Sequence, residues 1–506
     1  NDHQKNKKIN QLIQDLRFKG ITSYLVTHSI DIPQTSHIDH LPKKPLTQDY
    51  LAEEAFHLGL KMSSAVHKKD NIFYQNLGKK INQTETHLRD IYSFLNQTLD
   101  LEHNILLSTE WLLDNAYAIK GHMKDISRNL PSNFYQKLPL LKDGNYINLP
   151  RVYGMASQLV LLTDGYVDKD NINAFIESFQ KNTPLTIGEL WSFPLILRLS
   201  LIESIEHLAD LIIQRLKDSQ QADFWGDRLL NATRKAPDKL YFFMNLLTES
   251  HPQPSTYFAS QLVDHLYDDE GALLLVKNWF EKKIGYDLSN ILQTEQNDQT
   301  VEQTSTANCI TSLHRLKQLD WREVFEKLNV VNNILGEDFA NVYAKMDFST
   351  KDLYRHHVEK LSKVSSYSEF EIARQAVLLS QQGTTPLTQH VGYYIIDRGI
   401  KLLKNAIDQK QTYISIFKNF LEKYTQFFYI GSIATLSIVI NLVLIYFIAG
   451  LNYTNWQFWL FFLVAIIPSS ETALQTIHYI LSHSLKPVIL PKMNYEKEIL
   501  TDCQTL

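Results

Sequence analysis

Between Tyr424 and Ser470 the chain runs for 47 residues without a single Asp, Glu, Lys, Arg or His. A helix at the surface of a water-soluble protein needs a charged face, whereas a bilayer crossing needs about 20 largely apolar residues. The run therefore points to a membrane. Its first half, FFYIGSIATLSIVINLVLIYFIA (427–449), would be about 34 Å long as a helix, enough to cross the hydrocarbon layer. A short polar turn, GLNYTN, leads into WQFWLFFLVAIIPSSETALQTIHYILSH. There the uncharged part is shorter, Pro468 predicts a kink, and Glu471 would lie near the far interface. Residues 456–480 read as a second crossing or as a re-entrant segment. Leu474, Ile477, Leu481 and Leu485 share one helical face, so 481–506 begins as an interfacial segment.

Flanking charge sets the expected orientation. Lys401, Lys404, Lys410, Lys418 and Lys423 precede the first crossing, in or just before a basic juxtamembrane helix over 406–426. Lys486, Lys492 and Lys497 follow the second, and the turn between has none. By the positive-inside rule both ends face the cytoplasm of a multi-pass protein, with Tyr429, Tyr453, Trp456 and Trp459 as an aromatic belt.

Everything before the run reads as water-soluble. Residues 1–48 form a polar, Pro-punctuated lead-in without an apolar core, so no signal peptide is expected there, and the missing initiator Met suggests a trimmed chain. From 49 to 405 helical spacing takes over. Leu112, Ala116, Ile119, Met123 and Ile126 recur at steps of four and three, and similar stripes follow along the chain. Pro and Gly number only 15 and 17 among 506 residues, which favours helix throughout. The expected fold is all-α: a multi-helix cytoplasmic domain followed by a transmembrane helical hairpin. Two patches look irregular, LPLLKDGNYINLPRVYG (138–154) and EQNDQTVEQTSTAN (295–308), the latter as a loop or a helix lead-in.

A formal charge of -5 and the absence of a basic stripe argue against nucleic acid as a partner. Cys309 and Cys503 are too few and too far apart for a disulfide scaffold or a Cys-x-x-Cys metal site. No phosphate-binding loop, nucleophile elbow or dinucleotide fingerprint occurs. Asp168 and Asp170 have the spacing of a metal-binding Asp-x-Asp, but they sit at a helix start, where Asp serves as a cap. In QLDWRE, Asp320 likewise reads as an N-cap. Glu110 and Asp114, four apart, have the spacing of an acid–base pair, with Trp111 beside them.

The segment TPLTIGELWSFPLILRLSLIESI (183–205) is more particular. Thr186 and Glu189 form a Thr-x-x-Glu capping box, and Pro194 predicts a break between two helices. Glu189 beside Trp191 also has the make-up of a small polar site under a sugar. Arg151 and Tyr153 in LPRVYG complete the set of structural or glycan-contact candidates.

Seven stretches in order carry a family resemblance. They are EWLLDNAYAIKGHMKDISRNLPSNFYQKLPLL, LPRVYGMASQLVLLTDGYVD, PLTIGELWSFPLILRLSLIESI, ITSLHRLKQLDWREVFE, NVYAKMDFSTKDLYRHHVEKLSK, VGYYIIDRG and PSSETALQTIHYILSHSLKPVILPKM. Together they resemble the N-terminal region of the cyclic β-1,2-glucan synthases, large bacterial inner-membrane enzymes. The resemblance implies a full-length enzyme that polymerises glucose from UDP-glucose, with a divalent metal (Mg or Mn) in its glycosyltransferase domain. It further implies that the glucan is cyclised and delivered to the periplasm. The partners implied are the lipid bilayer, downstream glycosyltransferase, cyclising and phosphorylase-like domains, and the glucan itself. No catalytic, cofactor-binding or metal-binding residue of the family maps onto a position in this chain, whose own task would be anchoring and support. The rival reading is a membrane-tethered helical carbohydrate-binding or glycosidase-like domain.

Overall fold

The computed structural model describes residues 47–64, 77–99, 107–130, 137–144, 146–251, 254–284, 288–407, 424–448, 455–484 and 490–494. The expected lead-in therefore lies almost wholly outside the described residues, as do most of the juxtamembrane helix and of the segment after the second apolar stretch. Among the described residues there are helices and two isolated β-bridges, but no strand. The all-α expectation holds.

Two compact units divide between Val330 and Val331. The first contains α1 (Gln48–Lys61), α2 (Leu77–Leu99), α3 (Leu107–Asp114), α4 (Ala116–Asn129), α5 (Arg151–Leu162) and α6 (Lys169–Gln180). It continues with α7 (Ile187–Lys235), α8 (Leu240–Ser250), α9 (Thr256–His265), α10 (Glu270–Ile284), α11 (Leu288–Gln318) and α12 (Trp321–Leu328). Its spine is α7, 49 residues and about 73 Å long. Helices α2 to α5 and α8 to α12 all pack on it. The sequence explains this. In the first half of α7, Ile196, Leu197, Leu199, Leu201, Ile202 and Ile205 are fully buried, so apolar side chains point to more than one side. The second half buries Ala222, Trp225, Leu229 and Ala232 against Leu247, Phe258, Leu262, Val276 and Phe280 of α8, α9 and α10.

Two local expectations fail in this unit. Pro194 does not separate two helices; it lies inside α7. A proline within a helix costs about 3 kcal/mol. Burial of the adjacent Phe193, Ile196 and Leu197, each worth about 1.5–3 kcal/mol, outweighs that cost. Residues 295–308 are not a loop but the middle of α11. Their polarity misled because this helix turns polar side chains inward: Glu295, Asp298, Glu302, Ser305 and Thr306 are all buried. By contrast, the start of the 138–154 patch is irregular as expected, with an isolated bridge between Leu140 and Pro150 and left-handed backbone at Gly144 and Asn148.

The second unit holds the rest of α13 (Val330–Gly336), then α14 (Phe348–Val364), α15 (Glu369–Gln381), α16 (Val391–Ile395) and α17 (Ile400–Ala406). Helices α14 to α17 pack on one another. Two further helices, α18 (Thr425–Ile448) and α19 (Asn455–Ser484), form an antiparallel pair. Both are long and apolar enough to cross a membrane. Pro468 lies within the continuous α19, as do Leu474, Ile477 and Leu481 of the expected interfacial face, whose Leu485 lies outside the described residues. The α18–α19 seam is set by small residues four apart, Ala465, Ser469 and Ala473, all buried, with Asn441 buried on α18. Past α19, residues 490–494 come back to the bundle. Met493 bridges Met346, Asp347 N donates to Lys492 O (3.1 Å), Asn494 N to Lys345 O (2.8 Å) and Lys492 N to Thr350 Oγ1 (2.9 Å).

Candidate functional site

The capping box at the start of α7 forms as the sequence predicts. Thr186 Oγ1 accepts from Glu189 N at 3.3 Å, and Glu189 Oε2 accepts from Thr186 N at 2.9 Å. The same carboxylate takes Arg151 in a two-pronged ion pair. Arg151 Nε donates to Oε1 (2.8 Å) and Nη2 to Oε2 (2.6 Å), and Nη2 also reaches Pro184 O (3.2 Å). Arg151 is the first residue of α5, so the pair fastens the start of α5 to the start of α7. Glu189 is fully buried, with both oxygens occupied. A carboxylate in that state is a fastener rather than an acid or base.

Tyr153, two residues beyond Arg151 in α5, is also buried. Its hydroxyl donates to Glu203 Oε2 (2.6 Å) and accepts from Lys80, whose ammonium is 3.2 Å from Glu203 Oε1. The triangle ties α2, α5 and α7 together. Burial raises the Glu203 carboxyl above the usual range, against the opposing charge of Lys80 and the bond from Tyr153. Burial and the Glu203 charge also raise the Tyr153 phenol well above its ordinary value.

Trp191 is half-exposed and stacks on Phe325 of α12, ring centres 4.4 Å apart. Glu110, Trp111 and Asp114 lie on the exposed side of α3. Of the sequence candidates, the fold brings Arg151 and Glu189 into contact and sets Tyr153 two residues along α5 from Arg151. Asp168 and Asp320 are the N-caps expected of them, accepting from Asn171 N and Arg322 N at 2.9 Å each.

Other polar nodes were not legible in the sequence. Arg215 of α7 is buried between Glu295 and Glu302 of α11, with Nε 2.8 Å from Glu302 Oε2, and Thr256 Oγ1 donates to Glu295 Oε2 (3.0 Å). In the second unit Asp338, fully buried, accepts from Val391 N (2.9 Å) and Tyr343 N (3.2 Å) and pairs with His390 Nδ1 (2.8 Å). Burial alone would raise its carboxyl. The bonds from His390, Val391 and Tyr343 outweigh burial and hold it below the usual range. His390 Nε2 faces the Tyr354 hydroxyl at 3.2 Å. This is the order of a proton relay, but burial pushes the Tyr354 phenol up to about 12, so it stays a hydroxyl near neutral pH. No group of three or more His, Cys, Asp or Glu suited to a metal occurs among the described residues. The arrangement as a whole is a helical scaffold, cross-tied by buried ions, with an apolar hairpin.

No protein-family model matches this chain. A single-sequence comparison does find a relative, at 25% identity over 435 residues. The chain resembles a cyclic β-1,2-glucan synthase. The relative is the cyclic beta-(1,2)-glucan synthase NdvB of Rhizobium meliloti (strain 1021), and the match takes in 84% of this chain. It takes in 15% of NdvB, so the chain spans less than a sixth of that relative's length.

Proposed function

We propose that this chain is the N-terminal, membrane-anchoring and structural part of a cyclic β-1,2-glucan synthase, whose full-length form polymerises glucose from UDP-glucose and cyclises it into a periplasmic glucan. The carrying observation is the match to the NdvB synthase over 84% of the chain, beside the apolar pair of helices α18 and α19. The glycosyl transfer itself, with its divalent metal, belongs on this reading to the other domains of the enzyme. The occupied state of Glu189 fits a supporting role better than a glycosidase-like one.

The hairpin spans the bacterial inner membrane twice on this reading, with both ends cytoplasmic. The return of residues 490–494 to Lys345, Asp347 and Thr350 supports two crossings. A segment hydrogen-bonded to the bundle that precedes α18 lies on that bundle's side of the membrane. One crossing plus a re-entrant α19 would leave it on the opposite side.

The test is a chimera in which this chain replaces the matching region of the NdvB synthase. Membranes carrying it should make cyclic glucan from UDP-glucose. A chimera that inserts into the membrane yet makes none overturns the proposal. Single cysteines at positions 404 and 492 should both be labelled from the cytoplasmic side only, and labelling from opposite sides overturns the two-crossing topology.

A further inference from the structure

Along α7 one arrangement of side chains occurs twice. Glu206 and Asp210, four apart, face His87 of α2: its Nδ1 is 2.7 Å from Glu206 Oε1 and its Nε2 is 3.2 Å from Asp210 Oδ1. Asp223 and Asp227, again four apart, face His265 of α9: its Nδ1 and Nε2 are each 3.1 Å from an Oδ1 of the pair. The residue before the second acid is small both times, Ala209 and Gly226. At Gly226 the reason is visible, since a Cβ there would lie 2.4 Å from Cδ2 of the His265 ring. The two sites are 17 residues apart in the sequence, about 25 Å along the helix.

We propose that α2 is fastened to α7 by a proton-gated clasp, closed only when His87 carries a proton on both ring nitrogens. Donor count decides it. A carboxylate near neutral pH only accepts, so an imidazole between two of them needs two N–H donors. The neutral ring has one donor and one lone pair, and the lone pair then faces a carboxylate oxygen. Loss of a proton turns one of the two attractive contacts repulsive. The His87 ring reaches solvent, at 46% side-chain exposure, so its proton exchanges directly with water.

The charges that reach His87 are Glu206 and Asp210 from α7 and Asp90 on its own helix. Burial lowers its pKa, and the Glu206 bond with these three charges raises it by more. His265 is paired with Asp223 and Asp227 of α7, and among the described residues no charged group of α10 or α11 is paired with it. For His87 the sign follows from the net rise. The clasp holds in full below the ordinary histidine value of about 6.5 and is lost as pH rises through the higher folded value. That window begins at about 6.5 and runs upward.

Hydrogen exchange read by mass spectrometry on the full chain in detergent or nanodiscs tests this. Exchange times are scaled to the intrinsic rate between roughly pH 5.5 and 8.5. Protection of α2 should fall several-fold as pH rises, by about tenfold for each unit that folding adds to the His87 pKa, while α5 stays level. His87→Gln should abolish the dependence in α2. The proposal is overturned if α2 tracks α5 across the range, or if the dependence survives the Gln variant. Should circular dichroism show that the Gln variant does not fold, Asp210→Asn serves instead. It leaves one carboxylate in the clasp, and a pH dependence undiminished in it overturns the proposal equally.

Discussion

Replacing Glu189 by Ala should be the most damaging single change among the sequence candidates, and its cost can be built from its contacts. The carboxylate receives Arg151 through two bonds and closes the capping box with Thr186. Loss of a cap costs about 1 kcal/mol. Stranding a buried charge after removal of its partner costs about 3–5 kcal/mol, and Arg151 is only 6% exposed. The sum, about 4–6 kcal/mol, is a large part of the 5–15 kcal/mol that holds a typical domain together. The double variant Arg151→Met with Glu189→Leu removes both charges and should recover most of the loss, leaving roughly the cap cost. The assay is urea unfolding of the full chain in detergent, followed by tryptophan fluorescence, for wild type, both singles and the double. The reasoning is refuted if Glu189→Ala costs under about 1 kcal/mol, or if the double is as unstable as the singles taken together.

Trp191→Ala should cost far less, about 1 kcal/mol, because a half-exposed ring loses mainly its stacking on Phe325; the same urea curves report it. Cys309 is buried, and burial with the nearby Asp164 charge pushes its thiol well up. In a Cys503→Ser background, alkylation at mildly alkaline pH should therefore be absent until denaturant is added, as mass spectrometry would show. His122 titrates in the opposite sense to His87. Burial, with the charges of Arg198, Lys317 and His314, lowers its pKa to about 4. The neutral ring is the folded form, so stability is lost as pH falls below about 6.5, and His122→Phe should flatten that acid limb by up to about 3 kcal/mol. Melting curves between roughly pH 4 and 7 measure it, and an unchanged acid limb in the variant contradicts the assignment.

What the sequence made legible was whatever is decided within a few residues. The apolar helix pair announces itself because 47 residues without a charge leave a long helix no charged face. The caps at Thr186, Asp168 and Asp320 are visible because donor and acceptor lie within three positions. The fate of Pro194 was not visible. A proline's local cost is fixed, and only the burial of Phe193 and Leu197 by other helices shows that it is outweighed. The helix through 295–308 escaped for a related reason. Its inward face is held by Arg215, Asp164 and Gly165, from 80 to 147 positions away, and not by an apolar stripe. Periodicity detects hydrophobic burial and is blind to a helix that buries charge. Glu189 and Arg151 were singled out separately, yet nothing local joins residues 38 positions apart.

The ion pairs of the first unit share a geometry that bears on its role. Arg151 with Glu189 and Arg215 with Glu295 and Glu302, all buried, and the part-exposed Lys80 with Glu203 each take one member from α7 and the other from a helix packed on it. Buried pairs of this kind add little net stability over apolar side chains of the same size. What each does is penalise every register except one, since sliding a helix by a turn, about 5.4 Å, would strand a charge inside the unit. A long spine on which many helices pack through apolar contacts has many near-equivalent sliding positions, because ridges and grooves repeat every turn. Ion pairs spread along α7 from its first turn to Arg215 remove that degeneracy for α2, α5 and α11. A fixed register matters less to a lone binding domain than to a support that must present one surface to large neighbouring domains, which is the task proposed for this chain.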